Sequence, residues 1–232
     1  MQGKEKPINW RGNSLRDLCD ESLFTPEARR EAGRQLSQVQ FGLDPDHWKP
    51  FSEVGRGAKE IIVDQQDGWY RVMYVAKFEE AVYVLHCFKK KTNATGKQDK
   101  ALAKSRYDGV IFDKERHMKR KTDPIADNVV GHITPVGGNV FADLGFSPAE
   151  AKALQAQVRA VIAKKLAIKK QLMDSLADWM VQEKLTQAKA ATLLGVSRPR
   201  VSDVIRHKNS NFTVDALIDM VVRTGQPLQI TL

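Results

Sequence analysis

The stretch LTQAKAATLLGVSRPRVSDVIRHK, Leu185 to Lys208, decides the fold of the C-terminal part of the chain. Its residues predict one helix, a tight turn and a second helix. Thr186 is a good N-cap for the first helix, because its hydroxyl can accept a bond from a free backbone N–H. Gly195 suits the left-handed conformation that a sharp turn after this helix requires. Ser197 is the predicted cap of the second helix.

The second helix is predicted to be amphipathic. Its apolar residues recur at i, i+3 and i+4 and predict one buried face, formed by Val201, Val204 and Ile205. The other face is polar and basic, which suits a recognition helix whose N-terminal residues enter the major groove. We therefore predict DNA binding by residues at the two helix starts and on this face: Thr186, Gln187, Ser197, Arg198, Arg200, Ser202, Asp203 and Lys208. The alternative is an ordinary helical hairpin with a solvated face.

This stretch resembles the helix-turn-helix of phage-repressor-like (Xre) regulators, with Gln187, Arg198 and Arg200 at the base-reading positions of that family. Upstream, GNVFADLGFSPAEA at residues 138–151 resembles the opening of HigA-like antitoxins of the same class. The resemblance implies that residues 138–232 form an all-α antitoxin domain. No glycine or proline interrupts the chain from Glu150 to Leu194, so helix is predicted there, with Lys164 to Lys170 on a solvated face.

The chain ends in a predicted short strand, Leu228 to Leu232, with no partner strand nearby in the sequence. An unpaired strand edge invites pairing with its copy in a second chain. We therefore expect a two-fold homodimer.

The N-terminal part predicts an α+β domain with two helices and an antiparallel sheet. The clearest strands are Glu60 to Val63, Trp69 to Ala76 and Val82 to Phe88, and Asp67-Gly68 is a hairpin signal between the first two.

Residues 6–108 resemble the RelE/HigB-like toxins of the phage-derived branch. The matching segments, in chain order, are WKPFSEVGRGAKEI, WYRVMYVAKFEEAVYVLHCF, KKTNAT and ALAKSRY. The resemblance implies an endoribonuclease that acts on messenger RNA, usually on translating ribosomes, without a metal or other cofactor.

Metal-free RNA cleavage needs a proton acceptor, a proton donor and cations on the phosphate. Arg71 is the best candidate cation because it interrupts an apolar strand, although an arginine at a strand edge can also snorkel to water. Lys90 and Lys91 follow the third strand and are candidate phosphate ligands, or else simply solvated. His86 is the candidate proton carrier, with a buried structural histidine as the alternative.

The alternation of a strand places these residues on defined faces. Counting by two puts His86, Phe88 and Lys90 on one face, and turns Tyr74 away from Arg71 and into the core. One residue departs from the family pattern: Ile62 stands where the family commonly has an arginine. The absence of that arginine weakens the case for catalysis.

The charge of the chain favours acidic partners. Its 37 Lys and Arg exceed its 28 Asp and Glu by nine, which is typical of proteins that bind nucleic acid. Residues 109–137 contain KERHMKRK and two prolines, end at the glycine pair 137–138, and predict a flexible linker between domains 1–108 and 138–232. Cys19 and Cys87 suggest neither a disulfide framework nor a metal site. No apolar run reaches membrane-spanning length, so we expect a cytoplasmic protein without membrane contact.

The sequence thus predicts a fused toxin–antitoxin protein. The N-terminal mRNA endoribonuclease would be neutralised by the DNA-binding antitoxin, through a contact within one chain or between chains. The antitoxin would also bind double-stranded operator DNA and repress its own promoter. The alternative is a plain Xre-type transcriptional repressor with an inactive or RNA-binding N-terminal domain.

Overall fold

A computed structural model describes residues 5–90, 95–119, 130–227 and 230. The described chain forms two compact units. The first contains Glu5–Gln40 and Pro45–Val158, and the second contains Phe41–Asp44 and the chain from Arg159 onward.

The first unit is built on one mixed sheet with helices on both faces, which agrees with the predicted α+β class. Its elements, in chain order, are β1 (Ile8–Arg11), α1 (Ser14–Cys19), α2 (Pro26–Gln40), β2 (Trp48–Pro50), β3 (Ala58–Gln65), β4 (Gly68–Val75), β5 (Val82–Lys90), α3 (Lys97–Lys119), β6 (Val130–Thr134), α4 (Val140–Asp143) and the start of α5 (Pro148–Gln182).

The six strands lie in the order β2-β3-β4-β5-β1-β6. The predicted antiparallel meander is β3-β4-β5. The sequence reading missed that β1 joins it parallel to β5, with β6 antiparallel on its other side.

The two faces of the sheet carry different helices. On one face, α1 packs on β5 and α2 on β3, and the ring of Phe24 meets that of Tyr70 with centroids 4.9 Å apart. On the other face, Met73 and Phe88 share a buried apolar cluster with Ala103 and Tyr107 of α3.

The structure differs from the expected linker at residues 109–137. The helix α3 continues to Lys119, and β6 completes the sheet beside β1. Arg11 forms a 2.6 Å ion pair with Asp113 of α3, and Trp10 Nε1 donates a 2.9 Å bond to Thr134 Oγ1 of β6. For residues 109–119 and 130–134, which the structure describes, a flexible linker was the wrong prediction, because the helix and strand there are stabilised by distant partners rather than by a periodic pattern of their own.

The helix α4 extends this contact onto α2. Phe141 and Leu144 are fully buried, and a Cβ added to Gly33 of α2 would lie 2.8 Å from the Phe141 ring and 2.9 Å from a Leu144 methyl. Thr134 Oγ1 also donates a 2.5 Å bond to Asp143 of α4. Residues 130–144 are therefore part of the packed first unit.

The second unit is helical, as predicted. Beyond the remainder of α5 it contains α6 (Gln187–Leu194), α7 (Arg198–Ile205), a 3-10 turn at Asn209–Asn211 and α8 (Val214–Arg223). Its core includes Leu172 and Leu176 of α5, Leu194 of α6, and Leu217 and Val221 of α8. The predicted strand Leu228 to Leu232 lies outside the described residues, except for Ile230, which is in no strand.

None of the helices in the described ranges combines the length and the apolar composition needed to cross a membrane.

Two helical glycines test the packing of residues 130–144 on α2. Gly33→Ala should destabilise the protein, since overpacking a core typically costs about 1–3 kcal/mol. Gly109→Ala in α3 is the matched control, because its added methyl meets only Arg11 Nη2 at 3.5 Å. It should stabilise α3 by about 0.5–1 kcal/mol through helix propensity. Chemical denaturation of both variants measures the difference, and equal effects would contradict the close packing.

Candidate functional site

The sheet face that carries α3 also carries the predicted catalytic residues. Arg71 in β4 lies directly opposite Ile62 in β3 and Phe88 in β5. The rings of His86 and Phe88 stack with centroids 5.1 Å apart, which places both on this face as expected. Tyr74 is buried and has the opposite parity from Arg71, also as expected.

Arg71 is buried and is held beside a buried carboxylate. Its side chain is 6 % exposed, that of Glu60 is 0 % exposed, and Arg71 Nε lies 3.7 Å from Glu60 Oε1. Arg71 Nη1 also donates a 3.0 Å hydrogen bond to the Tyr70 carbonyl. Burial lowers the pKa of Arg71, while the charges of Glu60 and Asp64 oppose that shift. The guanidinium is therefore paired rather than snorkelling to water.

Two lysines belong to the same group. Lys49 Nζ of β2 lies 3.1 Å from Glu60 Oε2. Burial lowers the pKa of Lys90, and the nearby charges of Arg71 and Lys49 lower it further. We call Lys49, Glu60, Arg71 and Lys90 the Glu60 cluster. Its three cations and one carboxylate leave two positive charges, which suits a phosphate-bearing ligand.

Neither Glu60 oxygen has a hydrogen bond of acceptable geometry within the described part of the chain, nor does Arg71 Nε. Charge attraction thus holds Glu60 in place. Sequence reasoning missed both Glu60 and Lys49, although a glutamate within an apolar strand is the same kind of signal that identified Arg71. Lys91, the fourth predicted catalytic residue, lies outside the described residues.

His86 is oriented by helices on either side of β5. Its Nε2 lies 3.0 Å from Asp99 Oδ1 of α3, and its Nδ1 lies 3.8 Å from Asp17 Oδ2 of α1. Burial lowers the pKa of His86, although the hydrogen bond and charge of Asp99 oppose the shift. The bond to Asp99 fixes the orientation of the imidazole, and a histidine held in this way can take part in proton transfer.

The His86 pair is distinct from the Glu60 cluster. Arg71 lies opposite Phe88, whereas Met73 lies opposite His86, one step further along the same face. The Phe88 ring therefore lies between the histidine and the arginine side of the face. Across the described ranges, no group of three or more His, Cys, Asp or Glu side chains is arranged to hold a metal ion.

The second unit presents the predicted helix-turn-helix. Thr186 Oγ1 accepts a 3.3 Å bond from the Lys189 N–H and caps α6. Gly195 has φ +63° at the end of α6, the left-handed conformation expected from its place in the sequence. Arg223 of α8 donates a 2.8 Å bond to the Leu194 carbonyl and so supports the turn.

The exposed start of α7 carries Ser197, Arg198 and Arg200. Ser197 has the backbone conformation of an N-cap, but its hydroxyl makes no capping bond with any described residue. That hydroxyl therefore remains available to a ligand. Gln187 and Ser202 are half-buried. Val201 and Val204 are buried as predicted, whereas Ile205 is 37 % exposed because it lies at the last turn of α7.

Three of the predicted DNA-binding residues contact the chain itself. The Arg200 guanidinium lies over the Phe212 ring, 4.8 Å from its centroid. Lys208 Nζ pairs with Asp203 Oδ1 at 3.0 Å, and Asn211 Nδ2 donates a 2.8 Å bond to Asp203 Oδ2. Although burial opposes it, these two bonds hold the pKa of Asp203 below its usual range. Asp203 is thus an organising residue of this surface, and Lys208 is partly neutralised.

Two protein-family models match this chain, one in each unit. Residues 22–108 match the family model described as "Phage derived protein Gp49-like (DUF891)". Residues 163–232 match the model described as "Helix-turn-helix domain". No curated protein and no solved structure gives a significant match.

The two matched ranges leave residues 109–162 unassigned, including β6 and α4. The first match covers the strands of the Glu60 cluster, and the second covers the turn at Gly195. The chain joins a phage-derived Gp49-like domain of the RelE/HigB toxin type to a C-terminal helix-turn-helix domain, an arrangement consistent with a fused toxin–antitoxin protein.

Proposed function

We propose that this chain is a HigBA-type fused toxin–antitoxin protein. Its N-terminal domain is an mRNA endoribonuclease when freed, and its C-terminal domain binds operator DNA, represses its own promoter and neutralises the toxin. The observation that carries the proposal is the presence, in one chain, of a toxin-type domain with a cationic cluster and a helix-turn-helix with an arginine-bearing tip.

DNA binding is supported by the start of α7. Arg198 and Arg200 are exposed there beside the Ser197 hydroxyl, where a recognition helix enters the major groove. Within the described residues Arg198 has no ion pair or hydrogen bond, so its guanidinium is free to pair with guanine O6 and N7. Thr186 and Gln187 at the start of α6 complete the proposed surface.

RNA cleavage is supported by the Glu60 cluster and His86. The excess positive charge of the cluster suits the phosphate next to the cut, with Arg71 stabilising the charge that develops on it. His86, oriented by Asp99, is the proposed proton carrier. In this proposal the domain meets its messenger RNA on translating ribosomes and needs no metal.

The alternative, a transcriptional repressor with an inactive or RNA-binding N-terminal domain, is favoured by one specific observation. Arg71 is 5 % exposed and paired with Glu60, and the residue opposite it is Ile62 instead of a second cation. In this state the guanidinium is not presented to a phosphate. Under the first proposal, RNA must draw Arg71 away from Glu60.

We further propose that the chain acts as a homodimer. A two-fold dimer places two copies of α7 on half-sites about one helical turn, ~34 Å, apart. Neutralisation of the toxin domain then uses a contact within one chain or between the two chains.

Arg198→Ala should weaken binding to specific duplex by ~1–3 kcal/mol and relax the preference at one base pair of each half-site, since it removes a bidentate guanine contact. Lys164→Ala removes a positive charge from an exposed position on α5 and is the matched control. Fluorescence anisotropy with a duplex selected from a random library measures both. Equal losses on the selected and a scrambled duplex would show that Arg198 contacts only phosphate.

Arg71→Ala should lower RNA cleavage ~10²–10³-fold, the usual effect of removing one preorganised donor. Residues 1–158 are the fragment to express, because they retain β6 and α4 of the first unit. This fragment should arrest bacterial growth, whereas the full chain at equal expression should not. Lys104→Ala, at an exposed lysine of α3, is the control and should remain active.

The same assay separates the two proposals. An active Arg71→Ala fragment that remains folded would remove this arginine from the mechanism. If the unaltered fragment neither cleaves RNA nor arrests growth, the repressor alternative holds. Under the first proposal, Ile62→Arg should raise RNA cleavage, because it places a second cation directly opposite Arg71.

A further inference from the structure

Lys169 in α5 is a buried lysine in a stretch that the sequence predicts to be solvated. Its side chain is 2 % exposed. The ammonium Nζ donates hydrogen bonds of 3.0 Å to the Asn209 carbonyl and 2.5 Å to the Phe212 carbonyl. The cation therefore binds both ends of the 3-10 turn that separates α7 from α8. Burying a charged group is costly unless it is well bonded, so this arrangement is more than a solvated helix face.

The turn that Lys169 binds also supports the DNA-facing side of α7. Phe212 is 2 % exposed, and its ring lies beneath the Arg200 guanidinium at 4.8 Å. Asn211 in the same turn donates the 2.8 Å bond to Asp203 of α7. One ammonium group thus fixes a turn whose side chains contact α7 at two points.

We infer that Lys169 is a positioning residue for base recognition: by bonding the Asn209 and Phe212 carbonyls, it holds the Phe212 ring that sets the direction of Arg200. This inference rests on the proposed DNA binding and adds to it a residue that itself touches no base. Lys169 belongs to none of the predicted DNA-binding positions.

A hydrogen-bond donor suits this place better than an apolar side chain. Methionine has a similar length but would remove the bond to the buried Phe212 carbonyl and leave the Asn209 carbonyl with only the 3.4 Å bond from the Phe212 N–H. Burial lowers the pKa of Lys169 to about 8, the charge of Lys165 lowers it too, and the charge of Asp44 opposes the shift. Two other titratable side chains precede this turn: His207 pairs with Asp174 of α5 at 2.7 Å, and Lys208 pairs with Asp203 of α7 at 3.0 Å.

The lowered pKa gives a stability signature with a defined sign. Between about pH 8 and 10.5, the unfolded chain holds a proton on this lysine that the folded chain releases. Stability should therefore rise with pH through this window relative to a Lys169→Met variant. Thermal unfolding at several pH values measures this without DNA.

The decisive experiment is a double-mutant cycle on the full chain. The first probe is a duplex selected from a random library by the wild-type protein. The second is the same duplex with one base pair changed, namely the pair at which Arg200→Ala loses discrimination. Lys169→Met should lose discrimination at that same base pair, about tenfold, which is within the range of one base contact. Combining Lys169→Met with Arg200→Ala should cause little further loss, because both substitutions remove the same interaction with the base pair. Lys164→Met, which removes an exposed charge of α5, should leave discrimination unchanged.

The outcomes separate this inference from the function on which it rests. Retained discrimination in Lys169→Met, or additive losses in the double variant, would overturn the positioning role while leaving DNA binding in place. If the wild-type chain enriches no duplex, the proposed DNA binding fails and the inference fails with it. Should Lys169→Met prove unfolded, Phe212→Leu carries the same test. It removes the ring beneath Arg200, and unchanged discrimination there would equally overturn the role.

Discussion

The position of β1 between β5 and β6 is the constraint on which the first unit depends. A strand of four residues cannot be stable alone, and β1 gains its hydrogen bonds from segments more than seventy residues further along the chain. Trp10 is fully buried at this junction, and its indole N–H is satisfied by Thr134 of β6. The strand β1 also contacts α1, and its Arg11 pairs with Asp113 of α3; these two helices carry Asp17 and Asp99, the carboxylates beside His86.

Buried charges are the second theme of the structure. Arg71 with Glu60, His86 with Asp99, and Lys169 with two carbonyls are each placed where desolvation disfavours the charged form. Such groups are expensive unless paired, and replacing a whole pair by apolar residues is often neutral for stability. Their presence at the two proposed nucleic-acid surfaces is therefore better explained by function than by folding.

The parts of this structure that could be predicted from sequence are those with local physical signals. The cap at Thr186, the left-handed Gly195 and the spacing of Val201 and Val204 specify the helix-turn-helix through neighbours only. Strand alternation likewise placed His86, Phe88 and Lys90 on one face and turned Tyr74 away from Arg71. The strand β6 could not be predicted, because its stability comes from pairing with β1 and not from an alternating pattern. The burial of Glu60 and Lys169 was missed for the same reason: their partners are distant in sequence.

The pairing of β1 with β6 has a consequence for the timing of synthesis. A ribosome adds about 5–20 residues per second, and domains fold as their chain emerges. The strand β1 is synthesised first, and its second edge stays unpaired until β6 has been made. The strand β6 lies beyond the Gp49-like match. The nascent toxin-type domain therefore cannot complete its sheet until synthesis has entered the segment that leads to the helix-turn-helix. The order of synthesis thus delays the complete fold of the Gp49-like domain until the domain proposed to control it is already being made.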